Sequence, residues 1–219
     1  MPQPSDRAAR RADRSGMGPV RSDAPPARFP GATSAFGLLG EVLLVGVLVT
    51  LVSLPLLTLP AALAAGVRHL GRFLRAEGSG LGTFWGDLRR ALPGGLVVGA
   101  ASVGAAAVLM LDLVLAATGS LPGGGAIAVV GWLGLAIVAT ALATAAGRWS
   151  PETGWPAAVR GVPAAWRSDP AGAAYLLSAA GFAGVVTWQL VPLIVPALGC
   201  VTLAIFAVPE RPSRRQETQ

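Results

Sequence analysis

The chain has 219 residues, 53% hydrophobic and only 13% charged, whereas ordinary globular chains carry about twice that charge. Its net charge of +6 comes from 17 basic residues, every one an Arg, with neither Lys nor Asn anywhere. This composition excludes a soluble enzyme, a nucleic-acid module and a disordered regulator, and it predicts an integral membrane protein.

A single cysteine, Cys200, and a single histidine, His69, leave no intramolecular disulfide framework and no Cys/His zinc site within one chain. Without Asn there is no N-linked glycosylation acceptor. The absence of both Lys and Asn, whose codons are AT-rich, points to a GC-rich bacterial genome.

Residues 1–34 place Arg7, Arg10, Arg11, Arg14, Arg21 and Arg28 among Pro, Ser, Ala and Asp without apolar periodicity. A disordered cytoplasmic tail is expected there. No apolar stretch follows the Arg10-Arg11 pair closely enough for a signal sequence.

The block 35–66 contains one ionisable residue, Glu41. As a straight helix it would measure ~48 Å against a hydrocarbon core of ~30 Å, and Pro55 and Pro60 divide it. A span over 35–55 and a Pro-started helix over 60–76 are predicted, the latter ending in Arg68, His69, Arg72 and Arg75. An amphipathic helix before Pro93 groups Phe84, Trp85, Leu88, Ala91 and Leu92 on one face, with Asp87, Arg89 and Arg90 opposite. Spans over 94–118 and 126–147 follow, joined by a charge-free turn at 119–125.

The connection 148–170 spaces Trp155, Val159, Val162 and Trp166 along a second amphipathic face. Trp favours the membrane interface, so both segments are expected flat on the inner leaflet or packed beneath the bundle. The block 171–208 is again split, by Pro192 and Pro196, into a span over 171–191 and a short helix over 196–208. A cytoplasmic tail, 209–219, closes the chain.

The predicted fold is therefore all-α: a polytopic transmembrane bundle of about six helices, four full spans plus two short Pro-started ones, with two cytoplasmic amphipathic helices. Arg numbers six in the N-terminal tail, five over 67–93, none over 119–125, three over 148–170 and three in the last segment. Cytoplasmic segments collect Arg. Paired hairpins put every Arg-bearing segment inside, whether the short helices cross fully or are re-entrant, and both termini are expected in the cytoplasm of a bacterial plasma membrane.

The run Leu54-Pro55-Leu56-Leu57-Thr58-Leu59-Pro60-Ala61-Ala62-Leu63-Ala64-Ala65, followed by Arg68, Arg72 and Arg75, resembles the signature of the YesL-like family of bacterial membrane proteins, a domain of unknown function. Phe84-Trp85 with Leu88-Arg89 is similar to that family's aromatic–basic segment, and Arg167-Ser168-Asp169-Pro170 to its basic–Pro step. The resemblance covers about 35–208 and rests chiefly on Leu54, Pro55, Thr58, Pro60 and Ala61. Leu59 stands where the family often has Gly. The resemblance implies an accessory role near carbohydrate uptake or utilisation and supplies no catalytic residues.

Two intramembrane acids are candidate functional groups, Glu41 and Asp112, because a carboxylate within a span often marks an ion or substrate path. Each lies six residues from the end of its predicted span, about 9 Å along a helix, so reaching the headgroups is the competing reading. Arg68, His69, Arg72 and Arg75 suit either an anionic lipid or ordinary inner-interface anchoring. Phe84, Trp85, Leu88, Trp155 and Trp166 are expected interfacial. Gly95-x-x-x-Gly99 and Ala139-x-x-x-Ala143-x-x-x-Gly147 permit close helix approach, within one chain or between chains.

Neither catalytic, cofactor-binding nor metal-ligating residues are identified, and no cofactor is called for. The expected function is a non-enzymatic accessory component. The expected partners are the lipid bilayer and a transporter complex or a second copy of the chain, not nucleic acid. The alternatives are a small solute transporter and a permease subunit of the ATP-binding-cassette type with 148–170 as its coupling helix.

Overall fold

Alternating Ala-, Val-, Leu- and Gly-rich stretches fold into eight α-helices in the computed structural model, which describes residues 30–31, 35–78, 80–118 and 123–211. In chain order these are α1 (Ala35–Val52), α2 (Leu59–Leu74), α3 (Leu81–Ala117), α4 (Gly124–Arg148), α5 (Gly154–Arg160), α6 (Val162–Ser168), α7 (Pro170–Gln189) and α8 (Ile194–Ala207). One 3-10 turn, Val191–Leu193, joins the last two. No strand occurs among the described residues. The tail expected over 1–34, all but 30–31, lies outside them, as do 119–122 of the charge-free turn and 212–219 of the C-terminal tail.

Helices α1, α3, α4 and α7 are long and apolar enough to cross a membrane. With 16 and 14 residues, α2 and α8 measure about 24 and 21 Å, short of a ~30 Å hydrocarbon core. Helix α1 packs on α8, and α2, the most heavily buried helix, packs against α1, α3, α4 and α8.

Composition explains why α2 occupies that position. Every residue from Pro60 to Val67 is buried, and Ala and Gly there let four neighbours approach its backbone. Proline in the first turn needs no backbone donor, which starts the helix. The far end closes with Ala76 at φ +55°. Ala76 N donates to the Phe73 carbonyl at 3.0 Å and Glu77 N to that of Arg72 at 2.8 Å, a Schellman cap with Ala where Gly is usual. Between α1 and α2 the Thr58 hydroxyl donates to the Val52 carbonyl, closing the hairpin and giving the motif threonine a structural role.

Close packing explains several glycines. A Cβ on Gly95 would meet Ala61, one on Gly99 the Leu57 carbonyl, and one on Gly147 the Ile205 side chain. The small-residue faces on α3 and α4 are thus used for contacts within the chain.

Three details differ from the sequence expectation. First, the amphipathic segment before Pro93 and the span after it are one 37-residue helix, α3, about 55 Å long, so the segment continues the helix axis rather than lying flat. Pro93 removes only the bond to the Arg89 carbonyl. Beside it, the Trp155 indole N–H donates to the Ala91 carbonyl at 2.8 Å, and bare Gly94 makes room for that ring.

Second, Asp87 belongs to the buried face with Phe84, Leu88 and Ala91, while Trp85 is exposed. Positions i and i+3 share a face but i and i+1 stand about 100° apart. Third, the second amphipathic segment is two short helices, α5 and α6, meeting at Gly161. Pro163 has no N–H to offer the Val159 carbonyl, which instead accepts from a capping backbone N–H. Trp155 and Val162 are buried, Val159 is exposed and Trp166 half-buried.

Candidate functional site

Arg68 and Arg72 on α2 and Arg75 at its C-cap recur about one turn apart and so form one stripe, with His69 about 100° around the helix. The stripe faces the start of α3. Asp87 Oδ2 accepts from Arg68 Nε at 3.1 Å and from Arg72 Nη2 at 2.7 Å. Only 5% of Asp87 is exposed, so both guanidinium groups hold a carboxylate that water scarcely reaches. The Arg68 guanidinium also lies 6.0 Å from the Trp149 ring centre. Arg75 Nη2 donates to Glu210 Oε1 at 3.0 Å, tying α2 to the segment after α8.

A fourth pair closes the same end. Arg211 Nη2 donates to Asp169 Oδ2 at 2.6 Å. The other oxygen, Asp169 Oδ1, accepts from Gly172 N at 2.8 Å and caps α7, as an N-cap carboxylate does. Gly31 N donates to the Leu74 carbonyl at 3.0 Å, so the chain enters the bundle here too. Outside the helices, the Glu152 carboxyl is held below the usual carboxylate range, chiefly by a hydrogen bond with Ser150, with Arg68 and Arg90 adding to the effect.

His69 departs from its expected role as an inner-interface contact. It is fully buried, because α1 and the start of α3 cover its side of α2. Its Nε2 lies 2.7 Å from Glu41 Oε1, and its ring meets Phe84 edge-on at 6.1 Å between centres. Nδ1 is buried without a partner. A neutral ring with its proton on Nε2 donates to the Glu41 carboxylate and leaves Nδ1 a bare acceptor. Any form with a proton on Nδ1 would instead bury an unsatisfied donor. Glu41 therefore turns inward onto His69 instead of reaching outward along the helix.

Asp112 is half-buried in the other half of α3 and has no ion-pair partner among the described residues. It is not brought near Glu41. Replacing Glu41 by Ala strips His69 Nε2 of its partner and is expected to cost about 1–3 kcal/mol, read as a lower thermal midpoint in detergent. Glu41→Gln keeps an acceptor oxygen and should recover most of that loss. An unchanged midpoint in Glu41→Ala would mean that the pair contributes nothing to stability.

The architecture is an all-helical bundle with four helices long and apolar enough to cross a membrane, as in a multi-pass membrane protein, and with Arg68, Arg72, Arg75 and Arg211 paired to carboxylates at one end. No family model, curated protein or solved structure matches this chain.

Proposed function

We propose that the protein is a non-enzymatic accessory component of a bacterial plasma-membrane assembly, with its basic end and both termini in the cytoplasm. The observation that carries this reading is the tightly packed central helix. The central helix α2 fills the bundle with Ala and Leu. The buried hydroxyls of Thr140, Thr144 and Thr202 turn back on carbonyls of their own helices. Such an interior suits a part that holds a complex together better than one that conducts solute. The Arg distribution supports the sidedness. The likeness of 54–65 to the YesL-like signature supports a setting near carbohydrate uptake or utilisation.

Gentle detergent purification followed by mass spectrometry tests the accessory role. A stoichiometric permease or its ATPase is expected to accompany the chain. A clean homo-oligomer that moves solute in liposomes would overturn the proposal. Reporter fusions at Gly123 and after Gln219 should fall on opposite sides of the membrane.

A small transporter is the second reading, and the Glu41–His69 pair inside the bundle favours it, since intramembrane ionisable residues often serve ion paths. If it holds, Glu41→Gln abolishes a proton-coupled flux in liposomes. Flux unchanged by that substitution would remove the reading.

A further inference from the structure

Two cavities open at the basic end, and their charges differ in kind. The smaller, about 360 Å³, is bordered by Arg68, Arg72 and Arg75, but Asp87 and Glu210 already engage all three. The larger, about 770 Å³, lies between α4, α6, α7 and α8, within the size range of small-molecule sites. Its deeper wall includes Ala143, Leu176 and Ile205, and its rim carries Arg148 and Arg211.

The rim is held in place. Arg211 is clamped by Asp169 at 2.6 Å and lies 4.6 Å from the Tyr175 ring centre. Trp166, on the cavity wall, donates its indole N–H to Thr144 Oγ1 at 3.0 Å. Arg148 is different. Its guanidinium rests against the bare backbone of Gly161, yet it has no ion-pair partner among the described residues. Arg148 and Arg211 against Asp169 leave the rim one positive charge in excess. An apolar cleft between helices, opening at a basic rim where the arginines gather, has the chemistry that takes a lipid chain below and an anionic headgroup above.

We propose that this cleft binds one anionic phospholipid, its phosphate on Arg148 and an acyl chain along Ala143, Leu176 and Ile205. The proposal rests on the membrane reading of the fold and is independent of the accessory role. A bound lipid would bridge α4, α6, α7 and α8.

Native mass spectrometry of the full chain in detergent tests it, with phosphatidylglycerol, phosphatidylcholine or inorganic phosphate added in turn. Wild type should retain one phosphatidylglycerol, hold phosphatidylcholine more weakly and show no gain from phosphate. Arg148→Gln, a change on the exposed rim, should weaken phosphatidylglycerol retention about five-fold, the effect of one basic residue near a lipid surface, and Arg148→Lys should restore it. Ala173→Phe, which narrows the cleft without touching charge, should also weaken retention. Arg90→Gln removes an equal charge outside the cleft and should change nothing. Equal retention of the two lipids, retention unaffected by Arg148→Gln, or the same loss in Arg90→Gln would overturn the proposal. Binding of inorganic phosphate as tight as that of phosphatidylglycerol would replace the lipid with a free anion and equally overturn it.

Discussion

Asp87→Ala is expected to destabilise the bundle by about 3–5 kcal/mol, the cost of removing one partner from a buried ion pair. The magnitude follows from what remains. Arg68 and Arg72 both donate to Asp87 Oδ2, and without it two guanidinium groups repel one another beside a buried surface. Arg72 already carries a buried Nε without a partner, so the mutation would leave a second unsatisfied nitrogen on the same side chain.

Thermal unfolding in detergent should show the loss, and added salt should recover little of it, because buried charges are poorly screened. Asp87→Asn retains the acceptor oxygen but not the charge and should fall between Ala and wild type. Converting Asp87 to Leu together with Arg68 and Arg72 to Met removes every uncompensated charge and should return most of the stability. If the triple variant is as unstable as Asp87→Ala, lost packing rather than unpaired charge is responsible.

Some of this site was legible in the sequence. Glu41 stands twelve residues before Ser53, and His69 eleven after Thr58. A hairpin turning over 53–58 brings the two to the same level, a spacing that could have paired them, although read separately they point to an ion path and to the headgroups. Sequence alone does not say which way each helix faces, and that rotation decides between headgroups and core. Asp87 was placed on the wrong face because Trp85 was grouped with Phe84, although one residue turns a helix by about 100°.

Most helix ends lie within a few residues of those read from apolar length and proline, because hydrocarbon thickness limits the first and a missing N–H the second. Pro93 misled for a tertiary reason. The lost bond falls at Arg89, an exposed position, and the neighbouring indole of Trp155 packs on α3, so the helix runs through. Pairings such as Arg75–Glu210 and Arg211–Asp169 bridge 135 and 42 residues, and no periodicity encodes them.

The tightest helix contact was also invisible, since it carries no spaced-glycine pattern on either strand of sequence. Gly46 of α1 and Gly199 of α8 face each other. A Cβ on Gly46 would fall 2.2 Å from the Val195 carbonyl oxygen, and one on Gly199 would fall 2.3 Å from that of Val42. Both obstacles are backbone atoms, so no rotamer change relieves them and the helices themselves must separate. Gly46→Ala or Gly199→Ala is therefore expected to cost about 3 kcal/mol, at or above the usual upper range for overpacking.

The sign reverses six residues earlier: Gly40, on the same α1, has open space around its would-be Cβ. Gly40→Ala gains only helix propensity, up to about 1 kcal/mol in favour of Ala, and should leave stability unchanged or slightly raised. Thermal midpoints of these three variants in one detergent make the comparison. Equal behaviour of Gly40→Ala and Gly46→Ala would mean that α1 and α8 do not cross at this distance. Because α1 covers His69 through Glu41, loosening α1 from α8 should also expose the imidazole, which its faster reaction with a water-soluble acylating reagent would report.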